Sequence, residues 1–411
     1  MKAAIYGGTF DPFHKVHRRV VKSVLKSGYV DKLYVIPAGT PPHKGKRSIS
    51  FSAYRYRMAE LALAKFSQVE LSDYEIKEPG TSYTIKTVRY FQENLLDEED
   101  ELYLVMGSDS LMEIENWKEF LSLLRQCTLL VAARPGETEA ELAAQKHRLE
   151  KLYQAKILFF EMKESDVSST AVRKGILEGK LDEQEVPQLV KEFIRQNGLY
   201  AEDPLENFSE EQILTLRDFE RQLLALMSVN RLVHSLNVMY EAVRIARRFG
   251  IDPWKAAVAG LLHDAAKEQD YHEFPEVLSR LDEAMLNNKP IIHGPIGAAL
   301  VMEQFGITDP AIIDAIYHHS SLTPVPSPLE KVVYLADKIE PGRIFADLKP
   351  IREMALKDLD RAVLMTIDGS WASIRAHGGK MHRDTLAARV FLQRQIEERT
   401  RLQSIGPEKV T

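Results

Sequence analysis

The sequence predicts two parts of different fold class: an α/β, Rossmann-like doubly wound parallel sheet over residues 1–200, followed by an all-α helical bundle. Three observations carry this prediction. Six short apolar runs alternate with helical patterns before residue 200. Several of these runs are apolar throughout rather than alternating, which is how strands buried on both faces of a parallel sheet read. Beyond residue 210 no strand pattern is evident, and helical periodicity takes over.

The six runs are Ala3–Tyr6, Leu33–Ile36, Val69–Leu71, Leu102–Met106, Leu129–Ala133 and Ile157–Phe160. Strand, helix, strand at this spacing is the pattern of a doubly wound sheet. Ligands of such sheets bind beyond the carboxyl ends of the strands, so the residue following each run is a candidate for function. The acidic stretch 201–210, with Pro204, reads as a linker, 211–396 as the second domain and 397–411 as a tail. Within the second domain Leu223–Phe249 has helical pattern, and Gly250 fits the position just past a helix end. Asp252-Pro253 reads as an N-cap followed by proline at the first helical position, opening a helix over Trp254–Ala266. Three prolines make 320–328 a loop.

At 411 residues, 45% hydrophobic and 28% charged, the chain suits a globular protein with more than one core. A net charge of -6 argues against bulk nucleic-acid binding. No apolar stretch approaches the roughly 18 residues of a membrane span. The opening residues are too short an apolar run for a signal-peptide core. The single cysteine, Cys127, implies no oxidising compartment. The expectation is therefore a cytoplasmic protein without membrane or nucleic-acid partners, and a homo-oligomer is compatible with it.

The first run ends in Gly7-Gly8-Thr9-Phe10-Asp11-Pro12-Phe13-His14-Lys15-Val16-His17. The glycines let a phosphate approach the backbone, and a helix opening near Val16 offers free N–H groups to an anion. His14 and His17 are three apart and share one side of that first turn. Both can donate to phosphate oxygens. Ser168 and Ser169 fall where an N-cap belongs, on a helix whose first turn reaches Arg173, so hydroxyls, N–H groups and a guanidinium are offered together.

The second half holds His234, His263-Asp264, His293, His318-His319 and Asp337. Imidazole and carboxylate together suit iron, manganese or zinc. These residues come from separate elements, as a cage between packed helices requires. Six ligands (His234, His263, Asp264, His293, His318 and Asp337) exceed what one catalytic ion with an open position needs, so two transition metals are expected, bridged by Asp264. His319 is left as a surface or supporting residue.

The first half resembles the HUP-type nucleotidyltransferases. The glycine segment is similar to their GxFDPxHxGH signature, and Val167–Arg173 to their ISSTxxR signature. Pro41-Pro42-His43-Lys44, Pro79–Ile85, Met106–Ser110 with Trp117, and Ala133–Gly136 follow successive strands in the order of nicotinate-nucleotide adenylyltransferases. The resemblance implies adenylyl transfer from ATP, with Mg2+, to nicotinate mononucleotide. His14, His17 and Arg173 would be catalytic. Gly7, Gly8, Thr9, Phe10, Lys44, Gly107, Asp109, Ser168 and Ser169 would hold ATP. Thr81, Ser82, Tyr83, Thr84, Trp117 and Arg134 would hold nicotinate mononucleotide. Val16 stands where the signature has glycine, and its β-branched side chain is expected to crowd the nucleotide.

The second half, over roughly 213–394, resembles the YqeK branch of the HD phosphohydrolases, through Val233-His234-Ser235, Leu262–Lys267, Ile292–Pro295, Tyr317-His318-His319 and Ala336–Arg343. That resemblance implies symmetrical hydrolysis of diadenosine tetraphosphate to two ADP at a two-iron centre. Lys267, assigned a catalytic role, and Arg343 would hold the polyphosphate. Two other readings stay open: a different nucleotide substrate for the helical domain, and a first domain that senses a nucleotide and regulates the hydrolase.

Overall fold

A computed structural model describes residues 1–41, 49–133, 139–162, 167–180, 185–344 and 348–404. The chain divides into two compact units, Met1–Ala201 and Glu202–Thr411.

All six predicted runs are strands: β1 (Lys2–Gly8), β2 (Lys32–Pro37), β3 (Val69–Leu71), β4 (Glu101–Gly107), β5 (Thr128–Ala133) and β6 (Ile157–Glu161). They form one parallel sheet in the order β3-β2-β1-β4-β5-β6. Successive side chains alternate between two buried faces. Ala4, Leu33, Val35, Val105 and Leu130 enter one core. Ala3, Ile5, Ile36, Leu104 and Val131 enter the other. Burial on both faces explains the unbroken apolar runs.

The strand order reverses between β1 and β4, and the crevice outside their carboxyl ends is the ligand position of an open α/β sheet. Helices α1 (Lys15–Lys26), α3 (Thr84–Asn94) and α4 (Ser169–Leu177) contribute to its lining, and α2 (Ser52–Leu63) packs against β2 and β3. Arg55 of α2 is fully buried and donates to three backbone carbonyls, of Ser50 at 3.0 Å, Thr9 at 3.0 Å and Gly39 at 3.2 Å. It ties the segments that follow β1 and β2 to one another. Asp11 makes a second tie: its carboxylate accepts from Tyr200 Oη at 2.6 Å and from the N–H of Ser50 at 3.1 Å.

The principal helices of the second unit are α5 (Glu210–Leu223), α6 (Val229–Arg248), α7 (Pro253–Leu262), α8 (Lys289–Gln304), α9 (Pro310–His318), α10 (Pro328–Ile339), α11 (Leu359–Ala376) and α12 (Arg383–Ser404). The expected helix over Leu223–Phe249 is broken. A turn at 224–228 ends α5, and Ser228 caps α6 by accepting from the N–H of Arg231. Glu268 holds that cap, accepting from Ser228 N at 2.6 Å and Oγ at 2.9 Å. The stretch read as a linker contributes Leu205 and Phe208 to the core of the second unit. Residues 397–404, read as tail, continue α12.

Asp252 caps α7 as expected, but α7 stops at Leu262, four residues before Ala266. Tighter turns follow, with Ala265 N donating to the carbonyl of Leu262 and Lys267 N to that of Asp264. Among the described residues no helix is long and apolar enough to cross a membrane.

Arg55→Met should destabilise the first unit by about 3 kcal/mol or more, because buried carbonyls lose charged donors. Urea unfolding checks this. Arg55→Lys should rescue little, since one ammonium cannot reach the carbonyls of Ser50, Thr9 and Gly39 together.

Candidate functional site

In the first unit a cavity of about 470 Å3 occupies the β1–β4 crevice. Gly7, Gly8, His14, Val16 and His17 form one wall, Gly107, Asp109 and Trp117 another, and Ser82, Thr84, Ser168 and Ser169 the rim. Gly8 has no room for a side chain, since a Cβ there would lie 2.6 Å from the Phe10 ring.

His14 is the N-cap of α1, and its N–H donates to His17 Nδ1 at 3.2 Å. The two imidazoles stack with centroids 3.8 Å apart. Burial pushes the His14 imidazole down to about 4, so it is neutral at pH 7. Its Nδ1 is buried and has no hydrogen-bond partner. His14 and His17 line the cavity where α1 begins, and a helix N-terminus is a place for an anion's oxygen. Ser168 caps α4, accepting from the N–H of Ala171 at 3.1 Å, so α4 aims its N-terminus at the same cavity. Arg173 donates to the Asp11 carbonyl at 2.7 Å, which sets its guanidinium against the loop after β1.

Several predicted ligand residues are placed otherwise. Phe10 is 2% exposed and packs edge-on against His17 at 5.0 Å, so it orients that imidazole from the core side. Thr9 is the carbonyl held by Arg55. The Ser82 hydroxyl accepts from the N–H groups of Gly39 and Thr40, both at 3.1 Å, and so fastens two loops. Thr81 and Tyr83 do not line the cavity, and Lys118 Nζ covers the Tyr83 ring at 4.4 Å. Lys44 and Arg134 lie outside the described residues. Glu75 and Thr87 also line the cavity, the Thr87 hydroxyl donating to Glu75 at 2.6 Å, and neither belongs to a signature segment.

In the second unit Asp264 is 3% exposed, and imidazoles stand on both sides of its carboxylate. On one side Oδ2 is 3.5 Å from His263 Nε2 and 3.8 Å from His234 Nε2. On the other Oδ1 is 3.1 Å from His293 Nε2 and 3.6 Å from His319 Nε2. Asp337 Oδ1 completes the first group, 3.1 Å from His234 Nε2 and 3.8 Å from His263 Nε2. Two sets of ligand atoms therefore share one carboxylate: His234, His263 and Asp264, and Asp264, His293 and His319.

His263 Nδ1 faces the Gly260 carbonyl at 2.8 Å and His319 Nδ1 the Ile316 carbonyl at 2.7 Å. Donation there leaves each Nε2 lone pair turned inward. The Nε2 atom of His263 is buried with no hydrogen-bond partner, and that of His234 faces only carboxylate oxygens. Burial pushes His319 down to about 4 and lowers His293, so both imidazoles are neutral at pH 7. Burial opposes ionisation of Asp264, but the neighbouring His263, His293 and His319 outweigh it and hold the carboxyl well below its usual range. Buried inward-facing nitrogens around an ionised carboxylate fit transition-metal ions.

The candidate ligand set differs from the expected one at one position: His319, not His318, joins the group around Asp264. His319 lies one residue past α9, where its Nδ1 reaches back to Ile316. His318, about 100° round the helix, turns away and packs on Tyr317 with centroids 4.5 Å apart. Cations ring the cage. Arg231 pairs with Asp264 at 3.0 Å, Arg343 with Asp337 at 2.9 Å, and Lys338 with Asp337. Lys267 Nζ is 3.2 Å from His293 Nδ1, and burial lowers its ammonium.

Fold and sites together define a nucleotidyltransferase-type α/β unit joined to a helical unit with a His/Asp cage. A cytidylyltransferase-like family model matches residues 5–175, and an HD domain model matches residues 231–342. A probable nicotinate-nucleotide adenylyltransferase of Clostridium tetani is 36% identical over 199 residues, spanning 98% of that protein and 48% of this chain. One from Clostridium botulinum strain Hall is 38% identical over 198 residues, with the same coverage. A solved Clostridium acetobutylicum structure, described as a predicted HD superfamily hydrolase involved in NAD metabolism, is 35% identical, covers 43% of this chain and 96% of its own, and has a TM-score of 0.42. Through its first half the chain belongs to the nicotinate-nucleotide adenylyltransferase family, and it carries an HD domain in its second.

His14 titrates near 6.5 when unfolded and about 4 when folded. Protonation then favours the unfolded chain, so stability is retained above pH 6.5 and falls as pH drops towards 4. Between pH 7 and pH 5 the first unit should lose about 2 kcal/mol through this group. Urea unfolding followed at Trp117, with Trp254 and Trp371 replaced by Phe, should show that loss reduced in His14→Gln. Elemental analysis should further show His319→Ala losing at least one bound metal per chain while His318→Ala keeps the wild-type content.

Proposed function

We propose that the first unit is a nicotinate-nucleotide adenylyltransferase and the HD domain a hydrolase of diadenosine tetraphosphate. The observation that carries the first reading is the stacked pair His14 and His17 sharing one cavity with the Ser168-capped N-terminus of α4. In that reading the phosphate oxygen of nicotinate mononucleotide attacks the α-phosphorus of ATP. The bond to the β-phosphate bridging oxygen breaks, and Mg-pyrophosphate leaves with deamido-NAD as the other product. His14 and His17 donate to phosphate oxygens, while Ser168, Ser169 and Arg173 receive the charge that grows on the leaving pyrophosphate. Asp109 and Gly107 lie against the ribose, and Trp117 and Thr84 against the pyridine ring. Val16, on the same wall as both histidines, favours a second reading in which this unit binds ATP as a sensor.

The observation that carries the hydrolase reading is Asp264 lying between two groups of imidazoles. Two transition-metal ions, iron in this reading, would be held by His234, His263 and Asp337 on one side, His293 and His319 on the other, with Asp264 shared. When bound they supply Lewis acidity, making water a nucleophile near neutral pH and neutralising phosphate oxygens. Lys267, Arg231, Lys338 and Arg343 hold the polyphosphate chain. Water adds to one phosphorus as the central P–O–P bond breaks, and two ADP leave.

Product analysis of the purified chain, given ATP with nicotinate mononucleotide and, separately, diadenosine tetraphosphate, tests both readings. His17→Ala and Arg173→Ala should each lower kcat for adenylyl transfer by about 10²–10³ and leave hydrolysis unchanged. A change confined to the KM for nicotinate mononucleotide would put them in the wrong subsite. ATP binding without deamido-NAD formation would favour the sensor.

A further inference from the structure

His234 and His293, on the two sides of Asp264, have side chains of opposite charge next to their rings. His263 and His319 are each backed by a neutral carbonyl of their own helix. His234 Nδ1 instead faces the carboxylate of Glu340, with Oε1 at 3.2 Å. The Lys267 ammonium lies beside the His293 ring, 3.2 Å from Nδ1 and 3.3 Å from Nε2.

Glu340 is built into place. Its side chain is 4% exposed, and Asn237 Nδ2 donates to its Oε2 at 2.9 Å. The N–H of Gly342 donates to the same oxygen, and a Cβ at residue 342 would stand 2.8 Å from it. Arg352 fixes the backbone of this turn, donating to the carbonyls of Ile339 at 2.8 Å, Glu340 at 2.7 Å and Arg343 at 3.0 Å. A carboxylate held this way orients His234 and fixes the tautomer whose Nε2 lone pair faces Asp337 and Asp264. It also strengthens that nitrogen as a donor. Arg343, 2.9 Å from Asp337 and 3.8 Å from Glu340 Oε1, Lys338 on Asp337 and Arg231 on Asp264 Oδ2 offset some of the negative charge on this side, but they are 31%, 30% and 29% exposed and better screened than Glu340.

Resting on the metal-cage reading above, we propose that Glu340 is a positioning residue for His234, and that it makes the His234–His263–Asp337 side the tighter of two unequal metal positions. The Asp264–His293–His319 side, with Lys267 against it, is the exchangeable one.

The test loads the full chain with Co2+, dialyses it against graded EDTA and measures retained cobalt by elemental analysis. The wild type should release cobalt in two steps, keeping one ion per chain where the other is already lost. E340Q, which preserves shape and removes the charge, should lose the retained ion at EDTA concentrations about 10–100-fold lower and leave the first step in place. Gly342→Ala, which displaces the carboxylate without changing its charge, should shift the same step, and it decides the matter if E340Q does not fold. Release of both ions in a single step, or an E340Q curve superimposed on the wild type, would overturn the proposal. A wild type that takes up no cobalt would overturn the cage reading itself.

Discussion

The second unit is organised by one buried carboxylate. Asp264 faces four imidazoles from different segments, and an ionised group at that depth is tolerable only when partners surround it. This constraint explains local features that propensity does not. Helix α7 ends at Leu262, so that His263 and Asp264 both turn inward from tight turns rather than spreading around a continuing helix. Helix α9 ends at His318, so that His319 can bend back on Ile316 and present Nε2 to the same carboxylate. Arg231, Lys267, Lys338 and Arg343 then gather around the acidic groups, leaving a cation-rimmed centre suited to phosphate.

The first unit solves a different problem with the same means. Its cavity walls are loops after strands, and loops hold a shape only when their polar groups are tied. Arg55 ties the segments after β1 and β2 through carbonyls, and Asp11 ties Ser50 to Tyr200 near the end of the unit. Ser82 fastens the loop before α3 to Gly39 and Thr40. The cavity then needs few groups of its own: glycines for close approach, two stacked imidazoles and a capped helix N-terminus.

Much of this was legible in the sequence because it follows from local pattern. Unbroken apolar runs became strands, Gly7-Gly8 marked the end of β1, and Ser168 and Asp252 became caps. The cage was legible as a composition of ligands, but its membership depended on helical phase. Adjacent histidines differ by about 100°, and only the end of α9 decides that His319 rather than His318 faces Asp264. The break before Ser228 was hidden because the apolar pattern runs through it, while Glu268, which holds that cap, lies 40 residues away. Arg55 and Glu75 are hidden for the same reason: each acts through a backbone carbonyl or a side chain distant in sequence, and nothing in its own neighbourhood distinguishes it from a surface charge. Glu340 lies in the Ala336–Arg343 segment, but its partner His234 is 106 residues away.

The most direct test of the central claim, that Asp264 divides a cage for two ions, is anomalous diffraction from crystals of the full chain grown with Fe2+ or Mn2+, collected at the metal edge. The account predicts two peaks on either side of the Asp264 carboxylate, one against His234, His263 and Asp337, the other against His293 and His319. A single peak ligated by His318, or no peak among these imidazoles, would contradict it.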